Sequence, residues 1–398
     1  MRQSFTWHHT DFSKANYRGH CYAHTDAEWA PVAQAKIDSG CRNDLPAGVG
    51  RPPCDHRPAP LPPPPPAPAP FQCSSGFDCS GHNGVCANGA CKCNAGWSGT
   101  MCSTLDFVPK TGRVAYTDTL WSWGGSPIVE RDGAAAVYHL FSSRMSNNCG
   151  ILHYCMNSEV IHLTALNASG PYSFADTALA PRLDKWDNGA VHGISVHRLP
   201  NGTYALFYMG AEQPGLKSHP NCTPGSGDTK ANVTTGSHDG RRIGIATAVS
   251  LQGPWRRLDA PLFGPNTDAW DNIDVSNPAP IIHQDGSVVL LYKGRGKKAQ
   301  HMGLATAPSV DGPYTRNGSL QALPDLPGED PWGWIDPATG TYHALFHTGN
   351  GVASAGTHCW SADGKVWHGQ QSPAAYTGQM SWAADTAQPY AGKETVLA

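Results

Sequence analysis

Two acidic clusters stand ahead of short apolar strands and carry residue types suited to acid–base chemistry. The first is WDNIDVSNP, Trp270 to Pro278, which holds Asp271, Asp274 and Asn277. The second is GEDPWGW, Gly328 to Trp334, which holds Glu329 and Asp330. Paired carboxyl groups do general acid–base work when one is held protonated and the other ionised. Each cluster also has a structural reading. Glu329 and Asp330 can cap a turn ahead of Pro331, and Asp271 and Asp274 can bond to strand ends. His192, His347 and His358 recur near strand starts or ends, and each reads either as a packed histidine or as a contact to a polar ligand. Trp123, Trp186, Trp270, Trp332 and Trp334 cluster around the same segments. Indole faces stack well on the apolar face of a sugar ring, and sheet cores also need aromatics. Arg295 follows a YKG strand and reads as a solvated loop arginine or as a bidentate partner for a carboxylate. No HExxH or similar spacing marks a metal site. YKGRGKK lacks the strand-GxxxxGK-S/T context of a phosphate loop. No cofactor and no metal are expected.

The elements that hold these residues recur along the chain. One half-repeat is a strand, a tight turn and an aromatic strand. It reads SPIVERDGAAAVYHLFSS from Ser126, GISVHRLPNGTYALFYMG from Gly193, NPAPIIHQDGSVVLLYKG from Asn277 and DPWGWIDPATGTYHALFHTG from Asp330. Each places a DG, NG or TG turn between alternating apolar strands. A second half-repeat follows at a distance, as IGIATAVSLQGPW and MGLATAPSVDGPY, with weaker copies at Gly150 to Tyr172 and Ala355 to Trp367. Each full repeat amounts to about four strands, which is the pattern of a β-propeller.

Composition sets the setting. The chain has 398 residues, a formal net charge of −3 and only 15% charged residues, so nothing points to nucleic acid or to an anionic membrane. High Gly (44) and Pro (34) counts separate short apolar runs and favour turn-rich β structure. No apolar run is long enough for a transmembrane helix. Thirteen cysteines and five sequons, at Asn167, Asn201, Asn221, Asn232 and Asn317, favour the secretory route and an extracellular or cell-wall location. The start at Met1 shows no basic stretch followed by an apolar core. Either the sequence is missing its signal peptide or the chain is not exported, and the cysteine content favours the first.

Four regions follow. Residues 1–56 hold Cys21, Cys41 and Cys54 and little periodicity. Residues 57–71 are a proline run that reads as a stiff polyproline II spacer, as a ligand for a proline-binding domain or as a glycosylated stalk. Residues 72–103 carry Cys73, Cys79, Cys86, Cys91, Cys93 and Cys102, a segment too small to fold without covalent staples. Spacing alone leaves 15 pairings open. Residues 105–398 hold the repeats. Within them, Cys149 and Cys155 are placed to pair across a turn, and the polar stretch Glu212 to Gly240, with Cys222, reads as a surface loop.

The cysteine spacing of residues 73–102, with its ending GWSGTMC, closely resembles the EGF-like module. The resemblance implies the pairs Cys73–Cys86, Cys79–Cys91 and Cys93–Cys102. It also implies a spacer or protein-contact role, and the PAPFQ lead-in lacks the acidic pattern of calcium-binding members. Residues 113–385 resemble the glycoside hydrolase family 43-like five-bladed propellers of the arabinanase and levansucrase-like superfamily. The segments that carry this are WGGSPIV, CGILHYCMNSEVIH, SNPAPII and GEDPWGW followed by YHALFHTG. The resemblance implies an all-β propeller whose first strand in each blade lines a central funnel. Trp123, Ser126, His192, Asn277, Asp330, Trp332 and His358 then face a polysaccharide or glycan. It also implies inverting hydrolysis by two carboxyl groups about 6.5–9.5 Å apart, with Glu329 as the acid candidate; Asp271 or Asp274 is placed as the second carboxylate by its position at the funnel end of a strand. Asp330 is a further candidate for that second role. The family's first-blade Asp is replaced by Ser126, and no Arg-Arg-Glu-Arg-Pro-like segment closes a fifth blade. Two functions follow: a secreted glycoside hydrolase acting on cell-wall or matrix polysaccharide, or a non-catalytic extracellular protein that binds glycan or protein. The last blade is expected to be incomplete, with Leu105 to Leu120 able to donate a strand, leaving open strand edges.

Overall fold

The computed structural model describes residues 71–107, 120–133, 135–222, 238–297, 300–319, 328–348, 355–370 and 373–377. The chain divides into two units, 1–68 and 69–398. The first unit lies outside the described residues, as do almost all of the proline run, the Asn232 sequon, the segment 108–119 and the tail from 378. The expectations about an incomplete fifth blade therefore fall mostly outside the described residues.

The second unit begins with a small module. β1 (Gly84–Ala87) pairs with β2 (Ala90–Cys93), and β3 (Trp97–Ser98) pairs with β4 (Thr104–Leu105). Disulfides join Cys73 to Cys86, Cys79 to Cys91 and Cys93 to Cys102. Cys79 and Cys102 are fully buried, so the bridges are the centre of this module's small core.

Four antiparallel sheets follow, each paired in sequence order. Blade 1 is β5 (Ser122–Asp132), β6 (Ala135–Met145), β7 (Ser158–Ala165) and β8 (Ser173–Leu179). A single-turn helix, α1 (Tyr154–Asn157), precedes β7. Blade 2 is β9 (Ala190–Arg198), β10 (Tyr204–Ala211), β11 (Arg242–Ala248) and β12 (Arg256–Arg257). Blade 3 is β13 (Asp274–Ile282), β14 (Val288–Arg295), β15 (Gln300–Ala307) and β16 (Thr315–Ser319). Blade 4 is β17 (Gly328–Ile335), β18 (Tyr342–Thr348), β19 (Ala355–Ser361) and β20 (Trp367–Gln370), and β21 (Tyr376–Thr377) adds a further pairing to β19. The arrangement is that of a β-propeller, in which β9 touches β5 and β13, and β13 touches β17.

Apolar alternation builds the packing between blades. Phe141 and Val160 of blade 1 meet Val191, Leu206 and Tyr208 of blade 2. Phe207 and Ile245 of blade 2 meet Val275, Leu290 and Tyr292 of blade 3. Ile281, Leu291 and Leu304 of blade 3 meet Ala344, Phe346 and Cys359 of blade 4. Burial of each such large side chain contributes about 1.5–3 kcal/mol.

The WDN triplet turns out to be part of the frame, and it occurs twice. Trp186 stacks on Tyr208, and Trp270 stacks on Tyr292. The Tyr208 hydroxyl donates to Asp187, and the Tyr292 hydroxyl donates to Asp271. A cation from the outermost strand of the same blade completes each clamp: Arg257 on Asp187, and Arg316 on Asp271. Gly210 and Gly294 sit where a Cβ would overlap the Trp186 and Trp270 rings, so only glycine fits there. Asp271 is thus buried in a blade clamp, not at the funnel as expected from its place ahead of a strand, and Trp186 and Trp270 are taken up by the same clamps.

The side of blade 4 turned away from blade 3 is partly covered by the disulfide-rich module. Gly81 lies flat on Trp360, Phe77 meets His368 edge-on at 5.4 Å, and Trp97 lies 4.7 Å from His358. His82 Nδ1 lies 3.0 Å from Thr341 Oγ1, and the Leu105 N–H donates to the Ala375 carbonyl. His358, expected at the funnel, instead lies beneath this module against His343.

Asp271→Ala removes the acceptor of the buried Tyr292 hydroxyl and leaves the half-buried Arg316 with only the Gly264 carbonyl and the Phe263 ring. The expected loss is about 1–3 kcal/mol, read as a lower urea midpoint at unchanged slope. A midpoint equal to that of the unchanged protein would show that the clamp does not hold the blade.

Candidate functional site

Each innermost strand carries the same irregularity. The pairing register shifts between Trp123 and Ser126 in β5 and between Ser276 and Ala279 in β13. It shifts between His192 and Ser195 in β9 and between Glu329 and Trp332 in β17. The residue after each shift begins is left-handed: Gly124 (φ 65°), Gly193 (φ 57°), Asn277 (φ 49°) and Asp330 (φ 48°). Glycine, Asn and Asp are the types that tolerate this conformation. The extra residue re-aims the side chain it carries.

These bulges meet one another. Ser143 Oγ of blade 1 accepts the Gly193 N–H, and Gly193 lies against Asn277. The Asn277 side-chain amide in turn donates to Asp330. One level further along, Trp332 stacks on His197 of blade 2, bringing the inner strands of blades 2 and 4 together.

Around the Asn277–Asp330 contact lies a continuous polar cluster. Lys293 Nζ donates to Glu329, and His347 approaches Asp330 at 4.0 Å. Arg241 donates to Asp274 at 2.8 Å and to the Tyr154 hydroxyl at 2.8 Å. Arg295 also holds Asp274 and reaches Asp239 at the rim. Tyr154 packs against His192 and His238, and His192 Nδ1 lies 2.8 Å from Ser158 Oγ. Lys293 and Arg241 are each only 5% exposed, so both cations exist only because carboxylates face them.

The two adjacent carboxyl groups of β17 have opposite protonation preferences. Burial pushes the Asp330 carboxyl up, the neighbouring Glu329 charge adds to it, and the result is about 6. Burial also opposes charge on Glu329, but the Lys293 ammonium outweighs it and holds Glu329 below the usual carboxylate range. Burial depresses His192 to about 3 and keeps its imidazole neutral.

Glu329, Asp330 and Asn277 therefore stand together, with His192 on the adjoining wall. Asp274 joins them but is fully buried between two arginines, which leaves no room for it to activate a water. Of the two β17 carboxyl groups, Glu329 favours the charged form and Asp330 is the one whose proton is held more tightly. Ser126 is 1% exposed, and its Oγ accepts the Val196 N–H between blades 1 and 2. It lies two residues past the bulge position, which in blade 1 is Gly124. Trp123 is half-buried next to that bulge. Cys149 bonds to Cys222, not to Cys155 as expected, because the polar insertion returns to this corner with Cys222 buried. Cys155 stays a buried thiol, raised by burial to about 11. Asn167, Asn201, Asn221 and Asn317 are exposed.

Sequence reasoning passed over Lys293, Arg241, Tyr154 and His238. Lys293 had a readable signal: it is the one cation in the apolar run VVLLYKG, and a lysine in a buried strand needs a partner.

No protein family model matches the chain, and no curated protein matches it. Solved structures give distant likenesses. A family 117 glycoside hydrolase from the marine bacterium Zobellia galactanivorans is 16% identical, with 69% of this chain and 78% of that one covered at a TM-score of 0.48. A thermostable family-43 glycoside hydrolase is 13% identical over 65% and 78%, at 0.44. An endo-arabinase from Bacteroides thetaiotaomicron is 12% identical over 62% and 79%, at 0.42.

Asp330 has its folded value raised, so its contribution to stability is full below about pH 4 and is lost as pH rises towards 6. Asp330→Asn is expected to flatten the fall in urea midpoint across that window. A fall of unchanged slope would place the titration elsewhere.

Proposed function

We propose that the axial cluster is a carbohydrate site and that the protein is a glycoside hydrolase acting on a polysaccharide. Asp330 serves as the general acid and Glu329 as its ionised partner. The observation that carries this reading is the placement of two adjacent carboxyl groups at the meeting point of the inner strands, Glu329 against Lys293 and Asp330 buried against Asn277. Hydrolysis of a glycosidic bond needs one carboxyl group that keeps its proton near neutral pH and one that does not. A buried acid raised to about 6 next to a carboxylate fixed by a lysine meets that need. Asn277 orients Asp330, and Lys293 fixes the charge of Glu329. Neutral His192 and the Tyr154 hydroxyl supply polar edges for sugar hydroxyls.

We further read residues 72–103 as an EGF-like module, the repeats as a five-bladed glycoside hydrolase family 43-like propeller, and the chain as an extracellular or cell-wall glycoprotein. Its module could contact another extracellular protein. The disulfides and the exposed sequons support that location. Residues 57–71 then act as a spacer ahead of it.

A second reading is favoured by one specific observation. Glu329 and Asp330 are consecutive on a single strand, whereas acid and base of an inverting hydrolase flank the bond across a gap. On that reading the cluster binds glycan without turnover.

Sugar release from a panel of plant and algal wall polysaccharides separates the two. Hydrolysis is expected from the unchanged protein, reduced about 10²–10⁴-fold in Asp330→Asn and in Glu329→Gln, with retention on the polysaccharide kept. Retention by all three proteins without release from any would establish the binding reading. Release that survives both substitutions would place the chemistry elsewhere.

A further inference from the structure

His153 is the most poorly satisfied side chain outside the axial cluster. It is 1% exposed, and neither ring nitrogen has a hydrogen-bond partner among the described residues. An imidazole buried without partners costs about 1–3 kcal/mol for each unmade bond, so its place calls for an explanation. Two sulfurs surround it. One nitrogen of His153 and the Sγ atoms of Cys149 and Cys222 all lie within 4.8 Å of one another, and all three residues are buried.

We propose that Cys149, His153 and Cys222 form a three-ligand site for a thiophilic divalent cation of the zinc class once the Cys149–Cys222 bond is reduced. Two thiolates and an imidazole are a zinc donor set, and three protein ligands leave a fourth position open. A tetrahedral zinc with Zn–S of about 2.3 Å spaces its ligands about 3.8 Å apart, within the reach of this cluster. Sequence spacing hides the site. Cys149 and His153 are four residues apart on one turn, but Cys222 arrives from 73 residues away.

The chemistry balances with a named reductant. A dithiol gives two electrons and two protons to the disulfide, frees both thiols and leaves as its own cyclic disulfide. Zinc then takes both sulfurs as thiolates, and the two displaced protons pass to buffer. The protein therefore exchanges a covalent staple for a metal staple at the same corner. In both states the strap ending at Cys222 stays tied to the turn before α1, whose backbone also receives the Cys222 N–H at the Asn147 carbonyl.

The test uses the full chain, reduced with excess dithiol, freed of it without air and then exposed to zinc. Alkylation of each cysteine is followed by peptide mass spectrometry, so the module's six cysteines are read separately. Zinc is expected to slow labelling of Cys149 and Cys222 by at least about tenfold in the unchanged protein, because metal-bound thiolates are held out of reaction. In His153→Ala that protection is expected to be lost, while the oxidised variant still forms the Cys149–Cys222 bond. Equal labelling with and without zinc would overturn the site. So would protection that persists in His153→Ala, since two thiols alone would then suffice. Cobalt in place of zinc gives a second readout. A thiolate-to-cobalt absorption that weakens by one site's worth in Cys222→Ser supports the proposal, and an unchanged spectrum refutes it.

Discussion

The left-handed residue in each innermost strand is the constraint on which the site depends. Four strands must converge on one axis without their side chains colliding. A bulge at the same level of each strand solves this by inserting one extra residue and turning it inward. Blades 1 and 2 spend the position on Gly124 and Gly193, and so bring backbone to the axis. Blades 3 and 4 use Asn277 and Asp330, and so bring polar side chains. The asymmetry of the site follows directly. Side-chain functionality at the bulge comes from one half of the ring, and the other half offers space next to it. Gly193 lies against Asn277 at ordinary contact distance, so it is the left-handed φ of 57° that favours glycine there.

Away from the axis the blades are held by means that owe nothing to function. Blades 2 and 3 each close on a Trp–Asp–Tyr–Arg clamp, and glycines on the neighbouring strands make room for the rings. The aspartates of these clamps are buried charges, and they are retained because every lone pair in reach is met by Tyr and Arg. Asp187 accepts from Arg182, Arg257 and Tyr208, and Asp271 from Arg316 and Tyr292. Such a clamp fixes the outer strand relative to the inner ones, which keeps the bulge at a constant height along the axis.

The fold was legible in the sequence because its signal is local. Alternating strands around DG, NG and TG turns fix four blades, and these repeat often enough to be seen without any contact map. The site was half legible. Glu329, Asp330 and Asn277 were singled out because they stand at strand starts, where any polar run draws notice. Asp271 was misread for the same reason: strand-start position does not distinguish a residue that turns to the axis from one that turns back into its own blade. That distinction lies in partners far along the chain, such as Arg316 for Asp271 and Arg241 for Asp274. The Cys149–Cys222 bond was missed on equal grounds, since proximity in sequence favoured Cys155. Ser126 shows the limit of aligning on a proline, because the bulge displaces the blade 1 equivalent of Asp330 to Gly124.

Charge counting in the cluster explains why β17 can hold two carboxyl groups side by side. Three cations enter the site, Lys293, Arg241 and Arg295. Three carboxylates answer them, Glu329, Asp274 and Asp239. With that set balanced, a fourth negative charge on Asp330 would stand buried next to the charge of Glu329, with only His347 and the more distant Lys293 to offset it. Burial and the Glu329 charge therefore raise Asp330 to about 6, against the pull of Lys293 and His347, and the asparagine amide does not offset them. Lys293 sets this balance, because it is the cation that claims Glu329. His347 and Arg241 act on Glu329 in the same direction more weakly, so Lys293 is the largest of the groups that hold it ionised. The difference between the two carboxyl groups thus comes from their partners, one facing a lysine in a buried strand and the other an uncharged amide.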